Sequence, residues 1–265
     1  MNIFKKTVDA FYSDDNVTLL NGDSLEMLKT IKTGSIDLVF ADPPYFLSNG
    51  GITNKSGRMQ SVDKGDWDKS LTPLDRDKFN NQWIRLVKRV LKDDGAIWIS
   101  GTFHNIYSVA MALEKNGFEV LNNVTWEKLN PPPNIATRRF THSTETILWA
   151  RKKAKKNKHL FNYDLMKEIN GGKQMKDVWR SPLVKKSEKS MGYHPTQKPL
   201  WLLERIVLAT SRENDIILDP FSGSGTTGVV SISNNRKYVG IEIDPNYNKI
   251  ALKRIQIESN KLSLF

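Results

Sequence analysis

Ile216-Ile-Leu-Asp-Pro-Phe-Ser-Gly-Ser-Gly-Thr-Thr-Gly228 is the stretch on which the fold turns. A short apolar run ends in an acid and a proline. A turn with two glycines follows, and then a run that suits a helix. Strand, glycine turn and helix in this order build a ligand-binding corner of an open α/β sheet. The glycines let the backbone approach a ligand closely, and the helix N-terminus aims N–H donors at it. No Gly-Lys-Ser/Thr follows, so this is not a Walker loop, and the spacing is not GxGxxG. The next apolar run, Tyr238-Val-Gly-Ile-Glu-Ile-Asp244, ends in acids. In such sheets an acid about 20 residues past the glycine turn binds a ribose diol. Glu242 is the first choice and Asp244 the second. The alternative for the turn itself is a plain helix-capping glycine.

Outward from this corner the chain alternates strand and helix patterns. Short apolar runs at 17–20, 36–41, 96–100, 120–126, 146–150, 216–218 and 237–243 read as buried strands. Helical periodicity fills 24–31, 75–91, 105–116, 200–210, 226–233 and 247–257. Asp23 or Ser24 and Thr226 are plausible N-caps. The expected architecture is therefore α/β: a doubly wound, mostly parallel, seven-stranded sheet with helices on both faces. Two segments break the pattern. Residues 47–70 are polar and contain Gly50, Gly51, Gly57 and Gly65, and a long loop in a compact domain is usually functional or mobile. Residues 151–193 are basic, weakly periodic and aromatic-bearing, which suggests an insertion. The expected division is thus 1–150, a basic insertion at 151–193, and 194–265.

The second motif is Ile36-Asp-Leu-Val-Phe-Ala-Asp-Pro-Pro-Tyr45. Two prolines cannot continue a central strand, so they stiffen the backbone at its carboxyl end, where open sheets bind ligands. An amino group about to be alkylated needs acceptors that fix it and leave its lone pair aimed at the donor. Asp42 and the Pro43 carbonyl offer them, with Pro44 holding the turn and Tyr45 presenting a ring for a base to stack on. The alternative is a rigid turn with Asp42 as its cap and Tyr45 in the core. Asp219-Pro-Phe-x-Gly-x-Gly in turn suits the methionine end of S-adenosylmethionine, with Asp219 near the cationic ammonium group.

Composition narrows the function classes. The chain has 265 residues, 38% hydrophobic and 26% charged, as expected of a globular protein. There is no cysteine, which excludes disulfides, thiolate metal sites and the cysteine-dependent methylation of cytosine C5. His104, His142, His159 and His194 lack zinc spacing, so no metal is expected. No apolar run is long enough for a membrane helix, and no signal-peptide core stands at the N-terminus, so a cytoplasmic location and no membrane partner are expected. The net charge of +11 suggests a polyanionic partner, and residues 151–190, with 13 Lys/Arg against 4 Asp/Glu, carry most of it.

Together the motifs resemble the β-class amino-methyltransferases of DNA. In that class the Asp-Pro-Pro-Tyr motif comes first, a target-recognition region next, and Phe-x-Gly-x-Gly last. Asp42–Tyr45, residues 151–193 and Phe221–Gly225 fall in this order. His194-Pro-Thr-Gln-Lys-Pro199 matches the segment preceding the cofactor motif, and Asn21-Gly-Asp-Ser24 resembles the cofactor-adenine contact. The resemblance implies S-adenosylmethionine as cofactor, held by Asp23, Lys198, Asp219, Phe221, Gly223, Ser224, Gly225, Thr226 and Glu242. It implies transfer to N6 of adenine, because N4-cytosine enzymes usually begin the motif with Ser. Asp42–Gly51 with Lys64-Gly-Asp-Trp-Asp68 further resembles DpnA-type enzymes of GATC restriction–modification systems. That implies a GATC site and use of single-stranded as well as duplex DNA. The relatives are often dimers, so a homodimer is an expectation.

A base inside a duplex cannot reach such a pocket and must be flipped out. Arg138 and Arg139 are candidate phosphate contacts. Phe140 could stack on the extruded base, although an aromatic before a strand is as often core. Lys152, Lys153, Lys155 and Lys156 are either phosphate contacts or a solvated turn. Trp67 either closes a lid or anchors its loop. Trp83, Trp98, Trp126 and Trp149 read as core or interface. His104 and His142 read as structural. The rival functions are N4-cytosine methylation, an RNA substrate, and a catalytically silent nucleic-acid-binding module.

Overall fold

A computed structural model describes residues 1–46, 52–55, 58–61, 71–134, 137–153, 158–192 and 195–262. Trp67, Lys155, Lys156, Tyr193, His194 and the loop glycines at 50, 51, 57 and 65 lie outside the described residues. The strands are β1 (Tyr12–Ser13), β2 (Val17–Asn21), β3 (Ile36–Ala41), β4 (Ile52–Lys55), β5 (Arg58–Ser61), β6 (Leu91–Gly101), β7 (Phe118–Lys128), β8 (Thr144–Lys152), β9 (Val178–Ser181), β10 (Ile216–Asp219) and β11 (Lys237–Glu242). The helices are α1 (Ser24–Thr30), α2 (Pro73–Val90), α3 (Ile106–Lys115), α4 (Tyr163–Ile169), α5 (Leu200–Thr210), α6 (Thr226–Ser233) and α7 (Pro245–Leu262).

The main sheet has nine strands in the order β1-β2-β11-β10-β3-β6-β8-β7-β9, two more than expected. The seven expected strands are all present. The additions are edge strands: β1, a two-residue antiparallel partner of β2, and β9, which runs parallel to β7 from inside the basic segment. Two and four residues are too short to show a period. Strands β2, β11, β10, β3 and β6 are mutually parallel, β8 runs antiparallel to β6, and β7, antiparallel to β8, points the same way as the parallel strands. β4 and β5 form a separate hairpin within the long polar loop.

Each parallel strand is buried on both faces. Leu19, Leu20, Leu38, Val39, Ile97, Leu218 and Val239 are all fully buried. Helices α1, α2 and α3 pack on one face around Trp83, Ile84 and Val87, while α5, α6 and α7 cover the other. Trp98 stacks on Trp149 with ring centroids 5.0 Å apart, and Trp126 and Trp179 join the same cluster. The basic segment is therefore not wholly an insertion: it places Trp179 and β9 in the core. Asp37 ties three strands together, accepting from Lys92 Nζ at 2.6 Å and from the Ile216 N–H at 2.9 Å.

The order of the strands locates the crevice. β3 leads through α2 to β6 on one side, whereas β10 leads through α6 to β11 on the other. β3 and β10 are neighbours, so their connections diverge, and ligands in open sheets bind at such a divide beyond the strand ends.

Candidate active site

At this divide β3 delivers Asp42 and β10 delivers Asp219. Past Ala41 the two prolines hold the chain extended, and the Asn105 side chain donates to the Pro44 carbonyl at 3.0 Å. Asn80 in turn donates to Asn105 at 2.8 Å and accepts from the Trp83 indole at 3.1 Å. The catalytic-type turn is thus braced from α2 and the start of α3. Asp42 Oδ1 accepts from the Tyr45 hydroxyl at 2.7 Å, and Oδ2 accepts from Lys198 Nζ at 2.5 Å. Tyr45 is buried, with Nζ of Lys198 5.6 Å from its ring centroid.

Lys198 reaches this point from the segment before α5. Its Nζ also lies 3.2 Å from the Tyr45 hydroxyl and 3.5 Å from Glu145 Oε2. The other Glu145 oxygen meets Lys128 Nζ at 2.6 Å. Burial opposes the Lys198 charge, but Asp42 and Glu145 outweigh it and hold the ammonium well above the ordinary lysine pKa. Burial likewise works against the Glu145 charge, and Lys198 and Lys128 overcome it, leaving that carboxyl below its usual value. Burial raises Asp42, against the pull of Lys198 and with the help of the Glu145 charge.

The other half of the crevice is a cleft of about 190 Å³. One wall is aromatic. Phe46 meets Phe79 edge-on at 5.4 Å, and Phe221 packs against Phe79 at 6.1 Å and Trp83 at 5.5 Å. The rim carries Asp23, Asp42 and Glu242. Asp23 is the N-cap of α1, accepting from the Leu25 and Glu26 N–H groups at 2.9 and 3.1 Å. Glu242 accepts the Gly223 N–H at 2.7 Å and the Asp244 N–H at 2.9 Å. Asp219 accepts from the Phe221 N–H at 3.0 Å and the Thr227 hydroxyl at 2.6 Å. Burial nevertheless pushes the Asp219 carboxyl up to about 7, and the charges of Asp42 and Glu242 add to the rise.

The helix after this loop starts differently from the sequence reading. Gly225, not Thr226, is the N-cap of α6, in a left-handed conformation with φ 73°. Thr226 and Ser224 are held by Arg254 of α7, whose Nη1 donates to the Ser224 carbonyl at 2.6 Å, the Ser224 hydroxyl at 3.0 Å and the Thr226 hydroxyl at 3.1 Å. Ser224 also donates to Gln197 at 3.3 Å, which links the loop to the Lys198 segment.

The structure thus gathers Asp42 to Tyr45, Lys198, Asp219, Phe221, Gly223 and Glu242 around one crevice, with Asp23 on its rim. Lys198 sits on the Asp42 side, behind the glycine loop. The candidate nucleic-acid residues divide. Arg138, Arg139 and Phe140 occupy the loop between β7 and β8, which leaves the sheet at the crevice end, and all three are exposed, Phe140 at 98%. Lys152 ends β8, which runs antiparallel to β6, so Lys152 and Lys153 emerge at the opposite end of the sheet. Lys152 lies five positions beyond Ile147 along β8, roughly 17 Å of strand, and it is already paired with Asp93 at 3.0 Å. Seven described basic residues of this segment, from Arg151 to Lys176, precede β9 in the chain and belong to the return from that far end. Sequence reasoning missed Glu145, Lys128, Arg254, Phe46 and Phe79. Only Glu145 had a local signal, an acid at the start of an otherwise apolar strand.

The acidic rim and aromatic wall suit a ligand that combines a cationic group with a flat ring. The fold and crevice are those of S-adenosylmethionine-dependent methyltransferases: the solved M1.HpyAVI–S-adenosylmethionine complex superposes with a TM-score of 0.63 at 29% identity, covering 90% of this chain and 99% of that one. The chain belongs to the N6/N4 DNA methylase family, whose model matches residues 36–253. It is 60% identical over 245 residues to the Type II methyltransferase M2.LlaDCHI of Lactococcus lactis subsp. cremoris, spanning 92% of this chain and 91% of the relative. It is 58% identical over 249 residues to the Type II methyltransferase M2.DpnII of Streptococcus pneumoniae, spanning 94% and 93%. The protein is an S-adenosylmethionine-dependent DNA methyltransferase. Among the described residues no group of acids and histidines is arranged for a metal ion, and no helix is long and apolar enough to cross a membrane.

Proposed function

We propose that the chain methylates N6 of adenine within GATC, in duplex and in single-stranded DNA. The observation that carries the reaction is Asp42, a largely but not fully buried carboxylate at the switch point facing the acidic, aromatic-walled cleft. The site sequence rests on the relatives, Type II methyltransferases of GATC systems. When bound, S-adenosylmethionine supplies an electrophilic methyl group on a sulfonium. Asp219, Glu242 and Asp23 would hold its cationic and ribose parts, and Phe46, Phe79 and Phe221 its flat ring. Asp42 and the Pro43 carbonyl accept hydrogen bonds from the target amino group and orient its lone pair, and positioning of this kind accounts for much of the rate. Asp42 then holds the proton that the nitrogen gives up. Pro44 and Tyr45 shape the wall against which the base lies. The β7–β8 loop, with Arg138, Arg139 and Phe140, contributes the DNA-facing surface, and a homodimer is part of this reading.

Incubation with labelled methyl donor and oligonucleotides that differ only within the tetranucleotide, each single- and double-stranded, tests this directly. N6-methyladenine is expected in GATC strands of both forms. Equal labelling of scrambled strands would overturn the site, and labelled N4-methylcytosine the target base.

The Asp219 carboxyl makes cofactor affinity pH-dependent. A cation in the cleft favours the ionised acid, and the free protein holds the proton up to about pH 7. Affinity is therefore expected to fall as pH drops through about 7, by at most about tenfold per unit, and to level off above it. Calorimetry between roughly pH 6 and 8 reads this slope. A flat profile would remove Asp219 from the ligand's surroundings.

Charge placement gives a second expectation. Arg138→Ala with Arg139→Ala should weaken DNA binding several-fold and lower its salt slope by about 2, the two lost phosphate contacts. Lys152→Ala with Lys153→Ala should leave both nearly unchanged. The reverse result, read by fluorescence anisotropy against salt, would place the DNA at the far end of the sheet.

A further inference from the structure

Lys198 stands between two acids, and only one of them belongs to the reaction described above. Its ammonium is a nitrogen donor on Asp42 Oδ2 at 2.5 Å, beside the Tyr45 hydroxyl at 3.2 Å and 5.6 Å from the Tyr45 ring centroid. These are the contacts expected of the target amino group itself: a nitrogen donating to Asp42 next to an aromatic ring. The second acid, Glu145, is 3.5 Å away, farther than a full charge-assisted hydrogen bond. Its remaining oxygen is anchored by Lys128 at 2.6 Å.

We propose that Lys198 holds the place of the target amine in the free enzyme, and that Glu145 is the positioning residue that receives Lys198 when the base enters. The inference rests on the reading of Asp42 as the residue that holds the amino group. The movement is small: closing 3.5 Å to about 2.8 Å completes the pair with Glu145 and frees a lone-pair direction on Asp42. Two acids, Asp42 and Glu145, face two bases, Lys198 and Lys128, and all four side chains are at most 15% exposed. A buried cation moved away from all acids would be costly. Here it passes from one to the other and the quartet stays neutral. Lys128, fixed to Glu145 and 5.3 Å from the Trp126 ring centroid, keeps Glu145 from capturing Lys198 outright.

Single-turnover methylation of a GATC oligonucleotide across pH, with saturating S-adenosylmethionine, tests the role. Asp42 is faced by Lys198, Tyr45 and Glu145, with Asp219 beyond; Glu145 is faced by Lys128, Lys198 and Ser100. Glu145→Gln is expected to slow turnover by about tenfold or more at unchanged cofactor affinity. It should move the acid limb of the profile to lower pH, because the charge that raises Asp42 is gone. Lys198→Met should move the acid limb the opposite way, because the lost cation favoured the ionised acid. Glu145→Asp should recover part of the rate. Lys128→Met reads the same balance from the other side: Glu145, released from its anchor, draws Lys198 off Asp42, and the KM for DNA falls. Parental rate and acid limb in Glu145→Gln, with parental KM in Lys128→Met, would leave Lys198 a fixed counter-ion and overturn the inference. An active Asp42→Ala variant would instead overturn the underlying site reading.

Discussion

Replacing Asp42 with alanine is expected to reduce single-turnover methyl transfer by roughly a hundred- to a thousandfold or more, the scale of losing one preorganised group at a reacting centre. Affinity for S-adenosylmethionine should stay close to that of the parent. The carboxylate is held by Tyr45 and Lys198 on the acceptor side, whereas the cleft's other acids come from β11 and the turn after β2. The protein should remain folded. Losing one partner of a buried ion pair usually costs about 3–5 kcal/mol because a charge is stranded, but Lys198 retains Glu145 within 3.5 Å. Asp42→Asn should also be poor, since half of the amide presents N–H groups to an amine that needs acceptors. Rapid-quench kinetics beside calorimetry separates chemistry from binding. Near-parental turnover in the alanine variant would move the chemistry away from Asp42.

Gly225→Val is expected to unfold the region around α6 rather than merely to block a ligand. A Cβ at Gly225 would lie 2.6 Å from the Ala251 Cβ and 3.0 Å from its Cα, which belongs to the backbone of α7. The φ of 73° adds strain, since β-branched side chains avoid the left-handed region. Overpacking costs about 1–3 kcal/mol and such strain about 1–3 more, a large share of the stability of an ordinary domain. Urea unfolding should show a markedly lower midpoint, and Ala251→Gly should partly rescue the milder Gly225→Ala. Gly223 differs: it lines the cleft and gives its N–H to Glu242, so a change there should show first in cofactor affinity. A stable Gly225→Val protein that cannot bind cofactor would return Gly225 to the ligand wall.

What the sequence made visible is what is local. The Asp-Pro-Pro-Tyr turn and the glycine corner each announce a strand end within ten or so consecutive residues, and both stand where expected. The parallel strands were legible because burial on both faces leaves unbroken apolar runs. Partnerships across the chain were not. Nothing near Lys198 points to Asp42, 156 residues away, and nothing in Glu145 or Lys128 names the other until β7 and β8 pair. β9 was hidden because Trp179 lies in a four-residue strand inside a charged stretch. The location of the basic run was not legible for a different reason: charge reports a polyanionic partner but not a place, and it is the antiparallel direction of β8 that sends Lys152 away from the crevice.

The order of strands also sets a clock. β2 and β3 are made early, yet in the finished sheet they are separated by β10 and β11, the last two strands in the chain. At about 5–20 residues per second, roughly 10–40 seconds of synthesis pass between β3 and β11. Throughout that interval the slot between β2 and β3 must be kept open or be reopened, and non-local parallel pairing of this kind is intrinsically slow. Asp42 emerges 156 residues ahead of Lys198, and Asp219 follows later still. A ribosome-bound fragment that ends before Lys198 carries the reactive turn without its counter-ion or its cofactor wall.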